Sequence, residues 1–346
     1  MTLGQIAFLG SGETSLAGGR IFETLVQSLP RPLRISILET PAGFELNSSQ
    51  VAGRVGEFLS NRLQNYNPKL DVIPARRKNG PFSPDDMEVC APLLTSHMIF
   101  MGPGSPTYAI RQLQDSLAWN IIRARHRHGA TLVFASAATV AVGAWALPVY
   151  EIFKVGQDVY SLPGLDFFKD FDTPLSFLPH WNNAEGGQDV DTSRCFIGMD
   201  RFDEWCAMLP EENTTIGLDE HTGIILDFEK RSCRTLGVSS VHLVRKCNPS
   251  VFPAGSDISF NELGVMSTPD PLNQGIPQDV WDMCQSAVPV SAGEEHPSPE
   301  VVALADERRS ARLRKDWQAA DEFRRKISAL GWTVQDTPDG YNLVKG

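Results

Sequence analysis

Short apolar runs alternate with longer amphipathic segments through the first 135 residues. The runs are four to six residues long, as in the strands of a buried sheet, and lie at 6–9, 33–38, 70–73, 98–101 and 131–135. Between them, apolar residues recur every three or four positions, which places them on one face of a helix. Strands that alternate with helices in this way predict an α/β fold with a doubly wound, mostly parallel sheet.

Two of these predicted strands end in residues that suit a catalytic site. The strand at 98–101 ends in the Gly-Pro-Gly turn 102–104, and a helix is predicted to follow over 105–129. The strand at 131–135 runs directly into Ser136 without any loop residue. A serine at an abrupt strand-to-helix junction is how α/β enzymes present a nucleophile, and a glycine turn beside it offers backbone N–H donors.

A histidine and two carboxylates follow later predicted strands. His180 comes after the strand at 175–178, and Asp219 and Glu220 end another strand further along the chain. Serine hydrolysis needs a neutral histidine that takes the serine proton and a carboxylate that orients the histidine. Taken singly, these residues also have structural explanations. Ser136 can be a small residue where a strand packs on a helix, His180 a capped loop residue, and the acidic pair a solvated strand end.

The first strand ends in a glycine turn that invites comparison with a nucleotide-binding loop. Residues 10–15 form the pattern Gly-x-Gly-x-x-Ser, with Glu39 at the end of the second strand as a candidate ribose ligand. The third glycine of the dinucleotide pattern is absent, so the sequence favours a tight turn that faces the site. No cofactor is predicted. No metal is predicted either, because His126 and His128 lie two residues apart on a helix and point to different sides.

The composition of the chain changes after about residue 252, where prolines become frequent. A last segment then regains helical spacing and ends in two short strands that flank the turn 337–340. The sequence predicts three parts, which are an α/β domain at 1–252, a proline-rich linker at 253–297 with one short helix, and a helical module at 298–346.

Composition and charge narrow the class of protein. The chain has 346 residues, 42% of them hydrophobic, with no apolar run as long as a membrane span and no signal-peptide pattern. Its net charge of −11 disfavours non-specific binding to nucleic acid, although 300–346 has nine basic and eight acidic residues, a net of +1. Six cysteines without a Cys-x-x-Cys pair predict reduced thiols in a cytoplasmic protein. The lack of a long apolar run predicts that the protein has no membrane partner.

Several motifs of the first part occur together in a known family. They are Gly102-Pro103-Gly104-Ser105-Pro106-Thr107, Ala135-Ser136-Ala137-Ala138, Gly164-Leu165, Pro179-His180 and Ile216-Gly217-Leu218-Asp219-Glu220-His221-Thr222. In this set the chain resembles the cyanophycinase and aspartyl dipeptidase family of serine peptidases, which have a class I glutamine-amidotransferase-like fold. The resemblance covers roughly residues 1–245, and its most specific parts are the Gly-Pro-Gly turn and the Gly-Leu-Asp-Glu strand.

The resemblance implies a role for each residue of the site. Ser136 would be the nucleophile, His180 the base, and Glu220 or, less favoured, Asp219 the acid that orients His180. The implied oxyanion donors are the backbone N–H groups of Gly102, Gly104 and Ala137.

Three positions depart from the family's pattern. Phe134 and Ala138 stand where the family's elbow has glycine on both sides of the serine, and Pro103 replaces a glycine and has no N–H. The ring of Phe134 therefore has two predicted places. In the core it leaves the elbow open, whereas in the site it fills the space that the acyl group needs.

The last 45 residues, approximately, carry a second resemblance. Its motifs are Glu307-Arg308-Arg309, Ala311-Arg312, Lys315-Asp316-Trp317, Ala320-Asp321, Leu330-Gly331-Trp332 and Asp336-Thr337-Pro338-Asp339-Gly340. This segment looks like the C-terminal segment of cysteinyl-tRNA synthetases, but the synthetase signatures His-Ile-Gly-His and Lys-Met-Ser-Lys-Ser are absent, which excludes aminoacylation. The resemblance implies an RNA-contact or docking role for Arg308, Arg309, Arg312, Arg314 and Lys315. A solvated charged face explains these residues equally well.

The sequence therefore predicts a serine hydrolase that cleaves a small peptide or isopeptide amide through an acyl-enzyme. The alternative is a catalytically inactive α/β binding domain whose C-terminal module contacts tRNA or the translation machinery. A homo-oligomer is compatible with either prediction.

Overall fold

A computed structural model describes residues 3–287, 298–314, 316–337 and 340–345. The chain divides into two compact units, Met1–Val288 and Pro289–Gly346. Within the described ranges, no helix combines the length and the apolar character that a membrane crossing requires.

The described part of the first unit contains fourteen strands and nine α-helices. The strands are β1 (Ile6–Leu9), β2 (Arg34–Leu38), β3 (Lys69–Ile73), β4 (Met98–Met101), β5 (Thr131–Ala135), β6 (Trp145–Ala146), β7 (Leu162–Pro163), β8 (Leu175–Leu178), β9 (Thr214–Leu218), β10 (Thr222–Asp227), β11 (Ser232–Gly237), β12 (Ser240–Arg245), β13 (Asn248–Pro253) and β14 (Asp257–Ser259). The helices are α1 (Leu16–Val26), α2 (Ser48–Arg62), α3 (Met87–Cys90), α4 (Pro106–Leu113), α5 (Leu117–Arg127), α6 (Ala137–Ala141), α7 (Val149–Phe153), α8 (Met199–Ala207) and α9 (Gln278–Ala287).

These strands form a large sheet and a smaller one, besides the short β6–β7 ribbon. The large sheet has the order β14-β11-β10-β1-β5-β4-β2-β3. Its five strands from β1 to β3 in this order are parallel, whereas β10, β11 and β14 extend the other edge antiparallel. The smaller sheet has the order β13-β12-β9-β8, with β8 and β9 parallel. The predicted α/β fold with a mostly parallel core is confirmed.

Alternate residues of the central strands face opposite layers of the core, as the two-residue period of a strand requires. On β5, Val133 and Ala135 belong to the same buried cluster as Phe22 of α1. Phe134 belongs to the cluster on the other face, with Ile121 of α5. Because helices cover both faces, the sheet is doubly wound, and the residues that follow β1, β4 and β5 emerge at one edge.

The helix predicted over 105–129 is in fact two helices, α4 and α5. The chain turns at Asp115, which has a φ of 57°, and Ser116 then begins α5 as a new N-cap that accepts the N–H of Trp119 at 3.2 Å. The apolar spacing continues across the break because both helices bury the same side against the sheet. Spacing alone therefore could not show the turn.

The predicted linker at 253–297 requires a correction. Up to residue 287, this segment is part of the first unit. β14 pairs with β11, Phe260 is 2% exposed, and Cys284 of α9 is fully buried in the same cluster as α5. The prolines indicated a linker, but the apolar residues between them pack into the core. Residues 288–297 of the predicted linker lie outside the described ranges.

The second unit contains two helices followed by two paired strands, as the predicted helical module with its two short strands requires. Its elements are α10 (Pro299–Leu313), α11 (Trp317–Ala329), β15 (Trp332–Thr337) and β16 (Gly340–Lys345). Ser298 caps α10 and Asp316 caps α11, each through a hydrogen bond from a backbone N–H of the first turn. Val301, Ala305 and Ile327 are the centre of its own small core.

Arg308, one of the residues expected to contact RNA, is buried. Arg308 is only 4% exposed, because it continues the stripe of Ala305 and Ala311 on the buried side of α10. Arg309, Arg312 and Arg314 are exposed, and Lys315 lies outside the described residues.

Candidate active site

Ser136 occupies a strained turn between β5 and α6. Its φ of 51° and ψ of −118° are unusual for a residue with a side chain, and the chain passes there from strand to helix without a loop. The N–H of Ala138 donates to the carbonyl of Gly102 at 3.2 Å, which joins this elbow to the end of β4. The predicted strand-to-helix position of the serine is therefore the observed one.

The ring of Phe134 lies in the core and not in the site. It is fully buried, pairs in register with Phe8 across β1 and β5, and its centroid is 5.5 Å from that of Phe8. Phe167 approaches from the covering layer at 6.5 Å. Of the two places expected for this ring, the structure shows the one that leaves the elbow open.

A continuous chain of polar contacts connects Ser136, His180 and Glu220. Ser136 Oγ lies 3.1 Å from His180 Nε2, and His180 Nδ1 lies 3.0 Å from Glu220 Oε1. His180 follows β8 and Glu220 follows β9, which is the parallel neighbour of β8. The backbone N–H of His180 donates to the carbonyl of Gly10 at 3.1 Å, so the smaller sheet is fixed against the end of β1. The structure thus brings together three residues that are far apart in the sequence.

Two asparagines that the sequence analysis did not single out hold Glu220. Asn183 Nδ2 donates to Glu220 Oε1 at 2.9 Å, and the N–H of Glu220 donates to Asn182 Oδ1 at 2.8 Å. Burial would raise the pKa of the Glu220 carboxyl, but the hydrogen bonds from Asn183 and His180 outweigh it and keep this pKa below its ordinary value. The only signal in the sequence was that both asparagines follow His180 in a polar loop.

Asp219, the other candidate acid, belongs to a different cluster. Its Oδ1 lies 3.1 Å from His242 Nε2, and its Oδ2 accepts from Ser239 Oγ at 2.6 Å and from the N–H of Ser240 at 3.1 Å. Burial raises the pKa of this carboxyl, yet these hydrogen bonds leave it below the ordinary value. Asp219 therefore ties β9 to β12, and Glu220 is the acid beside His180.

Residues of the segment that carries Glu220 fill the space beside the glycine turn after β1. A Cβ on Gly10 would lie 2.1 Å from the carbonyl oxygen of Asp219, and one on Gly12 would lie 2.2 Å from His221 Nδ1. Glu39 is held by Arg76 and Ser48, each at 2.7 Å, and so is not available as a ribose ligand. This turn supports the segment that carries Glu220, in agreement with the tight turn that the sequence favoured.

A cavity opens beside Ser136 and His180, with an empty volume of about 320 Å³ that includes its mouth. Of the three implied oxyanion donors, Gly104 and Ala137 line this cavity. Gly102 lines a neighbouring, smaller cavity instead and uses its carbonyl to accept the N–H of Ala138. A Cβ on Gly104 would lie 1.9 Å from the carbonyl oxygen of Pro41, so only glycine fits at this place.

The first unit is an α/β protein whose fold is similar to that of a solved peptidase. Over 75% of its length, the chain is similar in structure to a crystal structure of a peptidase from an acI-B1 Actinobacterium, with 98% of that chain covered, a TM-score of 0.59 and 19% sequence identity. At this identity the similarity establishes the fold. No protein family's sequence profile matches the chain.

A short segment of the chain is similar in sequence to cysteine–tRNA ligases. It is 49% identical over 55 residues to the enzyme of Methanosarcina mazei and 54% identical over 46 residues to cysteine–tRNA ligase 1 of Burkholderia lata. The matched segment spans only 11% and 10% of those ligases. The chain therefore combines a peptidase-like α/β unit with a segment like part of a cysteine–tRNA ligase, as the sequence analysis expected.

Proposed function

We propose that the first unit is a serine hydrolase that cleaves a small peptide or isopeptide amide through an acyl-enzyme. The observation that carries the proposal is the contact chain from Ser136 Oγ through His180 to Glu220, at 3.1 and 3.0 Å. These distances are within hydrogen-bond reach, which a general base and its orienting acid require. The peptidase-like fold is consistent with this chemistry and does not by itself specify it.

In the proposed mechanism, each step of the reaction has its residue. Ser136 Oγ attacks the substrate carbonyl carbon while His180 Nε2 takes the hydroxyl proton, and Glu220 stabilises the imidazolium that forms. The N–H groups of Ala137 and Gly104 donate to the oxyanion of the tetrahedral intermediate. His180 then gives its proton to the leaving amine. In the second half, His180 takes a proton from water, and the hydroxide attacks the carbonyl carbon of the acyl ester. The bond between that carbon and Ser136 Oγ then breaks, His180 returns the proton to Oγ, and the carboxylic acid leaves.

The test is labelling with a fluorophosphonate probe, which reacts with activated serines. We expect the wild-type protein to be labelled and Ser136→Ala to be unlabelled. Ser105→Ala is the matched control, because Ser105 lies between the cavity-lining residues Gly104 and Pro106. Its hydroxyl is hydrogen-bonded to Thr107 Oγ1 and accepts the N–H of Tyr108, so this variant should still be labelled at Ser136. Labelling that persists in Ser136→Ala, or absent labelling of the folded wild type, would contradict the proposal.

For the second unit, we propose contact with tRNA through the exposed side chains of Arg309, Arg312 and Arg314 at the end of α10. The sequence similarity to cysteine–tRNA ligases supports this second function. The guanidinium of Arg312 also lies 5.8 Å from the ring centroid of Trp317, an aromatic that is 58% exposed. Arginines beside an exposed aromatic suit phosphates and unstacked bases.

Full-length protein with all three arginines changed to alanine should bind tRNA about tenfold more weakly at 100 mM salt. The slope of log affinity against log salt should fall by about 2–3, since each of the three phosphate contacts contributes about 0.7–0.9. The control removes three exposed cations of the first unit, Arg20, Arg54 and Lys69, and should leave the affinity nearly unchanged. Equal losses in both variants would indicate a charge effect of the whole chain, and the tRNA proposal would fail.

A further inference from the structure

The walls of the cavity beside Ser136 carry almost no polar groups. Its lining consists of Gly104, Pro106, Ser136, Ala137, Val140, Val149, Tyr150, Pro179, His180, Cys195 and Phe196. Apart from Ser136 and His180, the polar atoms of these side chains are the hydroxyl of Tyr150 and the thiol of Cys195. Burial raises the pKa of that thiol to about 12, so it is uncharged at neutral pH. Among these lining residues there is no lysine, arginine, aspartate or glutamate.

Lys154 and Arg194 lie close in the chain to lining residues, and each is positioned over an aromatic ring. Lys154 follows α7, and its Nζ lies 4.7 Å from the ring centroid of Phe153. The guanidinium of Arg194, next to Cys195 in the chain, lies 4.1 Å from the ring centroid of Trp181 and donates to the Trp181 carbonyl at 3.0 Å. Neither side chain lines the cavity, and each is engaged with its aromatic ring.

Two carboxylates lie beside the lining residue Tyr150, Glu151 in the chain and Glu45 in space. Glu151 follows the lining residue Tyr150 and accepts from Thr107 Oγ1 at 2.7 Å. Burial, followed by the carboxylate of Glu45, raises the pKa of the Tyr150 hydroxyl. The carboxylate of Glu45 therefore lies close enough to Tyr150 to affect it, and it adds negative charge near this wall.

Phe196 forms the wall that faces the reacting groups. Its ring centroid is 5.2 Å from that of His180 and 5.7 Å from that of Phe153. Phe196 and the two residues before it, Arg194 and Cys195, all have positive φ, between 55° and 72°. Positive φ angles are energetically unfavourable for residues with side chains. In this conformation the ring of Phe196 lines the cavity, whereas the side chain of Arg194 does not.

We propose that this cavity selects a small, uncharged, apolar acyl group and rejects an acidic one. The inference rests on the proposed hydrolase function and specifies its substrate class. A carboxylate transferred from water into an apolar wall without a cation loses its hydration and gains no partner, whereas an aliphatic chain gains from its own burial. The family that the sequence resembles includes aspartyl dipeptidases, which act on an acidic residue. The proposed substrate of this chain differs because its acyl group is uncharged.

The experiment compares two alkylboronic acids of matched shape, 3-methylbutylboronic acid and 2-carboxyethylboronic acid. In each complex, Ser136 Oγ forms a bond to boron, the serine proton passes to His180, and boron becomes a tetrahedral anion, with the alkyl chain in the acyl position. Their inhibition constants are obtained at pH 7 from protection of the full-length protein against fluorophosphonate labelling. We expect the apolar compound to protect at a concentration at least tenfold lower.

A second variant tests the place of binding. Tyr150 is 38% exposed, so Tyr150→Arg should fold, and its guanidinium at the mouth should shift the ratio of the two inhibition constants toward the carboxylate by about tenfold. Val265→Arg, at an 85% exposed position that does not line the cavity, adds the same charge and should leave the ratio unchanged.

The possible outcomes are distinct. Three results would overturn the proposed substrate class while labelling still supports the hydrolase. They are equal or stronger protection by 2-carboxyethylboronic acid, no protection by either compound, and an unchanged ratio of inhibition constants in Tyr150→Arg. Absence of fluorophosphonate labelling would instead overturn the hydrolase itself, and the substrate class with it.

Discussion

His180 Nδ1 lies 3.0 Å from Glu220 Oε1, although Asp219 comes directly before Glu220 at the end of β9. Successive side chains at a strand end point to opposite sides, so only one of the two carboxylates can face His180. Asp219 is directed to His242 and the backbone of β12. The two acids therefore have separate roles, and substitutions can distinguish them.

Glu220→Gln should lower the rate of fluorophosphonate labelling by about a hundredfold or more. The amide keeps the shape of the side chain but loses the charge that orients His180 and stabilises its protonated form. Asp219→Asn is the matched control and should label within about threefold of wild type, since Asp219 does not contact His180. The reverse order of the two effects would make Asp219 the orienting acid.

Asp219→Asn should affect stability instead, and in a pH-dependent way. The folded pKa of this carboxyl lies below its ordinary value of 3.8, so its stabilisation is present above about pH 4 and is lost as the pH falls through the folded pKa. At pH 7 we expect the free energy of unfolding to fall by about 2 kcal/mol, as for hydrogen bonds to a charged group. Urea unfolding at pH 7 and pH 3 measures this, and a loss that grows toward acid would contradict it.

Phe134→Ala should destabilise the first unit by about 3–5 kcal/mol, because the fully buried ring leaves a cavity in the core. The folded fraction should still label at Ser136, since the ring does not line the site. Phe134→Leu serves as the control with a smaller loss of volume. Labelling that rises in Phe134→Ala would show that the ring blocks the acyl position in solution.

Gly10→Ala should lower both stability and labelling, because its Cβ would lie 2.1 Å from the carbonyl oxygen of Asp219. A clash with backbone moves the turn that precedes Glu220, at a cost of about 1–3 kcal/mol. Gly53→Ala in α2 is the opposite case. No atom lies within 4 Å of its added Cβ, so it should stabilise the helix by about 0.5–1 kcal/mol without changing the labelling rate.

Limited proteolysis should cut near Gly293 to His296, within the predicted linker, and should spare residues 253–287. The latter segment includes Phe260, Val280 and Cys284, all at most 3% exposed, so a protease reaches it only after the first unit opens. Mass spectrometry of the released core gives its last residue. A released core that ends near residue 252 would show that residues 253–287 belong to the linker, and would contradict this prediction.

The sequence by itself determined the features that depend on local pattern. Buried strands have a characteristic length, helices have their own spacing, and caps such as Ser298 and Asp316 act within one turn, so each could be predicted from neighbouring residues. The position of Ser136 directly after β5 was visible for the same reason. The linker prediction was wrong for residues 253–287 because it rested on proline content, which is also a local feature. Proline content does not show which parts of the fold the apolar residues between the prolines contact.

Only the tertiary structure decided which partners meet. The choice of Glu220 over Asp219 depends on how β8 and β9 pair, and the place of Phe134 depends on which layer covers that face of the sheet. Arg308 is buried because its face of α10 packs, and not because of its residue type. The apolar wall around Ser136 is built from five separate segments of the chain. Contacts between distant segments follow from packing the whole chain at once, which no short stretch of sequence encodes.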